Sequence, residues 1–486
     1  MGQLVRTRWV VVVAAALALL GTACGGGESS SSGDGSGSDG SGGDAPAFDP
    51  LQVPSEFPTI TEAVAAAKEG DLVLIAPGTY AEAVDVTTPN ITIRGEDRNT
   101  VILDGGFTLE NGIRVLDTDG VVVENMTARN YTSNGFFWTG SDYYRGSYLT
   151  AYRNGDYGIY AFDAYHGQFD HSLGSGSPDA GFYIGECFPC DAVIDTVVSE
   201  YNGLGYSGTN SGGDLYIVNS TFRNNRAGIV PNTGAYELCY PERESTIVGN
   251  IVHDNNNLDG PGIDVALLAQ GNGILVPGGV RNTIERNLVF DHERTGIGLV
   301  PYPEEDANDT PPAQTEWDTP CEEVRDDEVP PIPAEDCKSL EGLLAACAVI
   351  WNPFENVVQG NVVSGSGLAD LAVATIDVFG SGESVDTLRN CFSGNTFATT
   401  APQNLETLAP CPVGTAGSGD WNAGGLDLLT LLASSPPKPP ADSYRTTPEP
   451  GPQENMPEAT TTAPVRFTGP TAPDVASIAV PAKPAG

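Results

Sequence analysis

The chain has 486 residues with 64 acidic against 22 basic side chains, a net charge of −42. A surface of that sign repels nucleic acid and anionic lipid, which argues against both as partners. With 59 glycines, 37 prolines and only 18% charged residues, the composition favours a turn-rich β protein over a helical one, and the length suits two or three ordinary domains or one long repetitive one.

The N-terminus reads as a targeting segment. Arg6 and Arg8 precede a short apolar run, Val10–Leu20, that is too short to span a bilayer comfortably. The stretch LLGTACGGG that follows resembles a bacterial lipoprotein signal, with Cys24 as the lipidated residue. It departs from the usual pattern in having Gly21, not leucine, three places before the cysteine. Residues 1–23 are therefore expected to form the signal peptide. Residues 24–48, rich in glycine and serine, are expected to be a flexible tether. The chain would then meet a membrane only through its lipid, in an extracytoplasmic location. Plain secretion after cleavage near Ala23 is the alternative.

Phe57–Gly106 opens with a predicted helix. Thr59 and Glu62 have the spacing of a capping box, and Ile60, Ala63, Val64 and Ala67 share one apolar face. That helix is expected to cap the open end of the repeat that follows, which would otherwise expose core and strand edges. Short strands are predicted at LVLIA, ITIRG and TVILDG.

The repeat itself is marked by glycine. Gly112, Gly135, Gly158, Gly181, Gly205 and Gly228 recur at steps of 23, 23, 23, 24 and 23 residues, and Gly273 and Gly296 resume the 23-residue step. A fixed period of this length means a solenoid. A β-favouring residue follows each glycine and no ten-residue helical pattern intervenes, so three short strands per coil, stacked about 4.8 Å apart, give an all-β parallel β-helix. Residues one and three after each glycine, such as Ile113/Val115, Phe136/Trp138 and Phe182/Ile184, are predicted to point inward. The second position should point outward: Arg114, Phe137, Tyr160, Tyr183, Ser207, Val230.

After Gly296 the period breaks. Residues 301–350 are acidic and proline-rich and read as an inserted loop, after which the solenoid continues to about Cys411, giving a repeat domain over 49–412. Residues 413–486 are predicted to hold a short closing helix within Gly424–Ser435 and then a disordered, proline-rich tail.

Setting Cys24 aside leaves eight cysteines, an even number that reads as disulfides in an exported chain. Cys187 and Cys190 are assigned to a local staple and Cys391 and Cys411 to a clip. The pairing of Cys239, Cys321, Cys337 and Cys347 does not follow from the sequence.

The opener TITEAVAAAKEGDLVLIAPGTYAEAVDVTTPNITIRGEDRNTVILDGG resembles the start of the pectin-lyase-like superfamily, and the coils resemble its bacterial secreted right-handed parallel β-helix repeat proteins. The resemblance spans roughly 57–411 and implies the right-handed fold, with functions ranging from lyases, hydrolases, esterases and epimerases to non-enzymes. The motifs implied by the pectin methylesterases (GxxDFIFG) and polygalacturonases (DD, GHG, RIK) are absent from this sequence. The four lysines, Lys68, Lys338, Lys438 and Lys483, lie outside the regular coils, away from where a lyase base would sit.

One surface carries candidate chemistry. Phe137, Tyr160 and Tyr183 fall on three successive coils, with Phe162 beside them, and stacked exposed aromatics suit a sugar ring. The competing reading has the 301–350 loop or the tail covering them. Asp163 and Glu186 lie 23 residues apart and so are expected to stack on neighbouring coils. Two carboxylates that close raise one pKa or bind a cation such as calcium, and their spacing falls near that of retaining glycosidases. The bland reading makes them turn formers. Asp142, Arg145, Tyr165 and His166 lie nearby, and a Tyr/His/Arg set beside acids suits proton abstraction next to a uronate carboxylate. Asp163, Glu186, Tyr165 and His166 are thus the catalytic candidates. Phe137, Tyr160, Tyr183, Phe162, Asp142 and Arg145 are the binding candidates. The sequence reading is a monomeric extracytoplasmic lipoprotein that binds a polysaccharide or cell-envelope glycan, with uronate-containing polymers among the candidates. If it is an enzyme, it is a polysaccharide lyase, epimerase or glycoside hydrolase. The alternative is a non-catalytic structural or adhesive surface protein.

Overall fold

The computed structural model describes residues 48–304, 321, 349–376 and 384–484. The signal, the tether, Cys24, Cys337, Cys347 and most of the 301–350 insertion lie outside the described residues. The rest is built on three long sheets of 12, 10 and 11 described strands, each parallel throughout. The chain visits them in turn, coil after coil. In one coil Val122–Glu124 lies in the first sheet, Thr127–Arg129 in the second and Phe136–Asp142 in the third. Among the described residues, no helix is long and apolar enough to cross a membrane.

The glycine period has a steric cause. Ile113, Phe136, Ile159 and Phe182 are successive register partners in the third sheet. The glycine before each stacks directly on the next. A Cβ on Gly112 would lie 2.4 Å from the carbonyl oxygen of Gly135, one on Gly135 2.7 Å from that of Gly158, and one on Gly158 2.6 Å from that of Gly181. Only glycine lets the backbones approach that closely. The predicted single-file column of glycines is therefore present.

Inside, the alternation holds. Ile113, Val115, Phe136, Trp138, Ile159, Ala161, Phe182 and Ile184 all belong to one continuous buried core. The corners stack as well. Asn250, Asn287, Asn361 and Asn395 form a ladder in which each side-chain amide donates to the next carbonyl oxygen at 3.0 Å. Asn250, Asn287 and Asn361 are buried but satisfied, as a buried amide must be, and Asn395 at the end is half-buried.

The segment Ile60–Ala66 is helical, with Ile60, Ala63 and Val64 in the main core. The Thr59 hydroxyl accepts from the Glu62 amide at 3.1 Å. The first two helical amides, of Ile60 and Thr61, are taken by the Glu82 carboxylate at 3.1 and 2.9 Å, a long-range cap that local spacing does not reveal.

Three outward features differ from expectation. On the third sheet, Tyr183, Ser207 and Val230 are buried, not exposed. A second apolar cluster lies on that face, where Val230, Leu275 and Val300 meet Ala266 of the helix Asp264–Leu268 and Leu428 of the helix Leu428–Ala433. The predicted closing helix is therefore present and packs on the side of the solenoid. Second, the proline-rich tail is ordered through Pro484 and lies along the coils. Arg153 donates to the Thr447 carbonyl at 2.8 Å, and Arg94 donates to the carbonyl of Thr462 at 2.6 Å. Composition had argued for disorder because the tail lacks apolar mass, but arginines on the coils supply polar anchors instead. Third, Cys239 pairs with Cys321, tying the insertion to the loop 233–242. Cys187–Cys190 and Cys391–Cys411 are disulfides, as the spacing implied.

Candidate functional site

The aromatic column is real but narrower than predicted. The rings of Phe137 and Tyr160 lie 4.9 Å apart, and Tyr160 and Tyr183 stack at 4.8 Å. Phe162 lies parallel to Tyr160 at 6.0 Å. Phe137, Tyr160 and Phe162 are half-buried. Tyr183 is 1% exposed. Its hydroxyl donates to Glu237, so the loop 233–242 covers it. The open face is therefore Phe137, Tyr160 and Phe162.

Tyr157, which the sequence reading passed over, joins this column. Its ring lies 4.5 Å from Tyr160 and 5.0 Å from Tyr183. Its hydroxyl donates to Oδ2 of Asp179 at 2.7 Å. Burial pushes the Asp179 carboxyl well above the usual range, and the neighbouring Asp156 charge adds to that, while the Tyr157 bond works against it. Asp156 and Asp179 are 23 residues apart, at the same place in successive coils. A stacked acid pair besides Asp163 and Glu186 is thus found at the other end of the same strands. Aligning the residues just before each glycine, as was done for those after it, would have revealed it.

Asp163 and Glu186 do occupy equivalent corners, and both have left-handed backbone, with φ of 47° and 54°. Asp117 and Gly140 precede them in that column with φ of 47° and 57°. Aspartate tolerates this conformation better than most side chains, so the turn-forming reading explains Asp117 and Asp163. Their carboxylates face different partners. Glu186 is 7% exposed, and its Oε1 accepts from the Leu238 amide at 2.7 Å, holding the 233–242 loop. Asp163 is pushed up to about 6 by burial, then by the charges of Asp117 and Asp142. Gly140 makes the Asp117 contribution possible: a Cβ there would meet the Asp117 Oδ1 at 2.4 Å, so the carboxylate lies over the space a side chain would fill. Among the described residues, no group of three or more His, Cys, Asp or Glu is arranged to hold a metal ion.

The remaining candidates separate. Asp142 pairs in register with Tyr165, and burial raises its carboxyl, Asp119 adding to the effect. Tyr165 packs against the main core. Arg145 belongs to the first sheet, where its Nε bonds Asp170 at 3.0 Å and its guanidinium lies 3.6 Å from Glu124. His166 sits at the corner between the third and first sheets with φ of 58°, stacks on Tyr143 at 4.8 Å and contacts Asp191 at 2.8 Å. The Tyr/His/Arg set beside acids is therefore not assembled at one point. The guanidinium register partner of Phe137 is Arg114, which is held by Asp85 at 2.8 and 3.0 Å.

What converges is an aromatic face with Tyr157 and Asp179 at one end and Asp163 at the other. It can stack a ring beside carboxyls whose pKa values burial raises.

Residues 134–302 match the family model described as right handed beta helix region. No curated protein matches the sequence. Among solved structures, the mannuronan C-5 epimerase AlgE4 A-module of Azotobacter vinelandii is 12% identical, with 68% of this chain and 87% of that one covered, at a TM-score of 0.45. The pectate lyase Pel9A is 13% identical, covering 82% of this chain and 84% of that one, at 0.39. An alginate lyase from Paenibacillus sp. str. FPU-7 is 17% identical, covering 49% of this chain and 87% of that one, at 0.35. Likeness at this level carries no argument about activity. The parallel pairing throughout three sheets and the family match over the central coils make the solenoid a right-handed parallel β-helix.

Proposed function

We propose that the third-sheet face binds a polysaccharide, with a sugar ring packed on Tyr160 and flanked by Phe137 and Phe162. The observation that carries this reading is the tilted and stacked column Phe137–Tyr160–Tyr183, closed at one end by the Tyr157–Asp179 pair. Three half-buried rings on the outside of a solenoid present apolar area with ordered edges, which suits the face of a sugar. If the chain is an enzyme, Asp179 and Asp163, both raised by burial, are the candidate acids, Asp163 to about 6. A uronate polymer would meet carboxylates on this face and needs a cation such as calcium between them. In this reading the protein works outside the cytoplasm and is tethered through Cys24, so Cys24→Ser should release it into the medium.

The test is a binding screen of neutral and uronate polysaccharides, with and without calcium, on the parent and on Tyr160→Ala. Binding that Tyr160→Ala weakens at least about tenfold supports the site. Binding that the substitution leaves unchanged removes it. An ultraviolet-absorbing product would identify a lyase.

A further inference from the structure

The ordered tail poses a separate question. Past Thr447, Ala459 is the one buried residue of the described tail, and Val465 is 76% exposed. Apolar side chains such as Met456, Phe467 and Ile478 are only half-buried, and polar contacts hold much of the tail. Arg98 donates to the Glu454 carbonyl at 3.1 Å. Arg94 donates to the carbonyls of Ala459 and Thr462 at 3.2 and 2.6 Å. On the return leg Arg286 holds the carbonyls of Ile478 and Val475 at 2.7 and 2.6 Å. In a chain with 22 basic residues against 64 acids, at least three guanidiniums thus grip the neutral backbone of one extended segment.

The floor beneath it is also unusual. Arg94, Glu124, Arg145 and Asp170 lie on four neighbouring strands of the first sheet. Their charges alternate and pair, Arg94 to Glu124 at 2.7 Å, Arg145 to Glu124 at 3.6 Å and Arg145 to Asp170 at 3.0 Å. The tail does not fill the space above them. Beside the Arg94–Thr462 contact, a cavity of about 220 Å³ is lined by Glu124 and Arg145 of the floor and by Val465 and Phe467 of the tail.

We propose that residues 448–484 form a displaceable strap over a groove on the first sheet, and that the groove takes a neutral polyhydroxylated polymer in the strap's place. A charge-balanced floor gives an anionic chain no net attraction, whereas hydroxyl groups both donate to carboxylates and accept from guanidiniums. A strap with a single fully buried residue is held by many contacts of small net worth each, which a ligand offering hydrogen bonds of its own can replace. While closed, it lowers the apparent affinity by the fraction of molecules that are open. This groove lies on a different sheet from the aromatic face, and the two readings stand or fall separately.

The experiment compares binding of a soluble neutral β-glucan and a polyuronate to the full chain, to a chain ending at Thr447, and to full-length Arg286→Ala, which frees the return leg without touching the floor. The expected result is at least about tenfold tighter binding of the neutral polymer by the shortened chain, a gain in the same direction for Arg286→Ala, and competition by a peptide of residues 448–484. The gain should persist when Tyr160→Ala is added. No gain in a shortened chain that still melts cooperatively overturns the proposal. If the shortened chain does not fold, absence of a gain in Arg286→Ala overturns it. Loss of the gain with Tyr160→Ala also overturns it, because binding would then be on the third sheet.

Discussion

The Tyr157 hydroxyl donates to Oδ2 of Asp179 at 2.7 Å, and it is the contact that opposes the rise in the Asp179 pKa. Folding raises this carboxyl above its unfolded value. Its stabilising contribution is therefore full in acid and is lost as pH rises through the folded pKa. Removing the hydroxyl with Tyr157→Phe raises the carboxyl further. The expected outcome is little change in melting at pH 5 and a loss of about 1 kcal/mol at pH 8. Asp179→Asn should flatten the same pH profile. Thermal melts across pH check both, and an equal loss at both pH values for Tyr157→Phe would contradict the assignment.

Asp163 offers a second titration. Its folded pKa of about 6 exceeds the usual aspartate value, so its contribution is present in acid and lost on raising the pH toward and through about 6. Asp117 is the leading charged cause after burial. Asp117→Asn should therefore lower the Asp163 pKa, read from its side-chain carboxyl carbon by NMR. A pKa that does not move would place the two carboxylates apart.

The two stacked tyrosines should part company on mutation. Tyr183→Ala removes a ring that is 1% exposed and hydrogen-bonded to Glu237, and is expected to cost about 3 to 5 kcal/mol. Tyr160→Ala, in a half-buried ring, should cost clearly less and lower glycan affinity. Denaturant unfolding of both variants tests this, with equal losses counting against an open face.

The glycine column predicts a sharp contrast. Gly158→Ala would put a methyl 2.6 Å from the Gly181 carbonyl oxygen, a backbone atom that yields only if two coils separate. A loss of about 1 to 3 kcal/mol is expected. Gly425→Ala, with nothing within 4 Å of its added carbon, should be near neutral. Melting temperatures of the pair decide it.

Most of the solenoid was legible because its causes are local and repeated. Ile113, Phe136, Ile159 and Phe182 each follow a glycine and each face inward, so one period gave the coil, the register and the core. The outer surface was not legible on the same terms. Whether Tyr183 is open depends on Glu237, 54 residues later, and whether the tail is ordered depends on Arg94 and Arg98, some 360 residues earlier. Contacts at such separation leave no periodic trace. Asp163 and Glu186 stack on neighbouring coils as the period implies, but the period does not give their side-chain partners. Register fixes where two Cα atoms lie, but Glu186 found the Leu238 amide and turned to it.

The three corners of the coil differ in what they tolerate. From the Glu124/Thr127 junction to the Gln359/Val362 junction, the first and second sheets are joined by two residues every time. The helix Asp264–Leu268, the loop 233–242 and the insertion after Glu304 all enter at the corners bordering the third sheet. An extra residue at the tight corner would swing every later strand off its partner, whereas material added at the other two leaves the stack in phase. The solenoid thus has one fixed seam and one growing margin. A foreign segment grafted next to Leu258, 57% exposed on that margin, would be carried outward by a frame that does not register its presence.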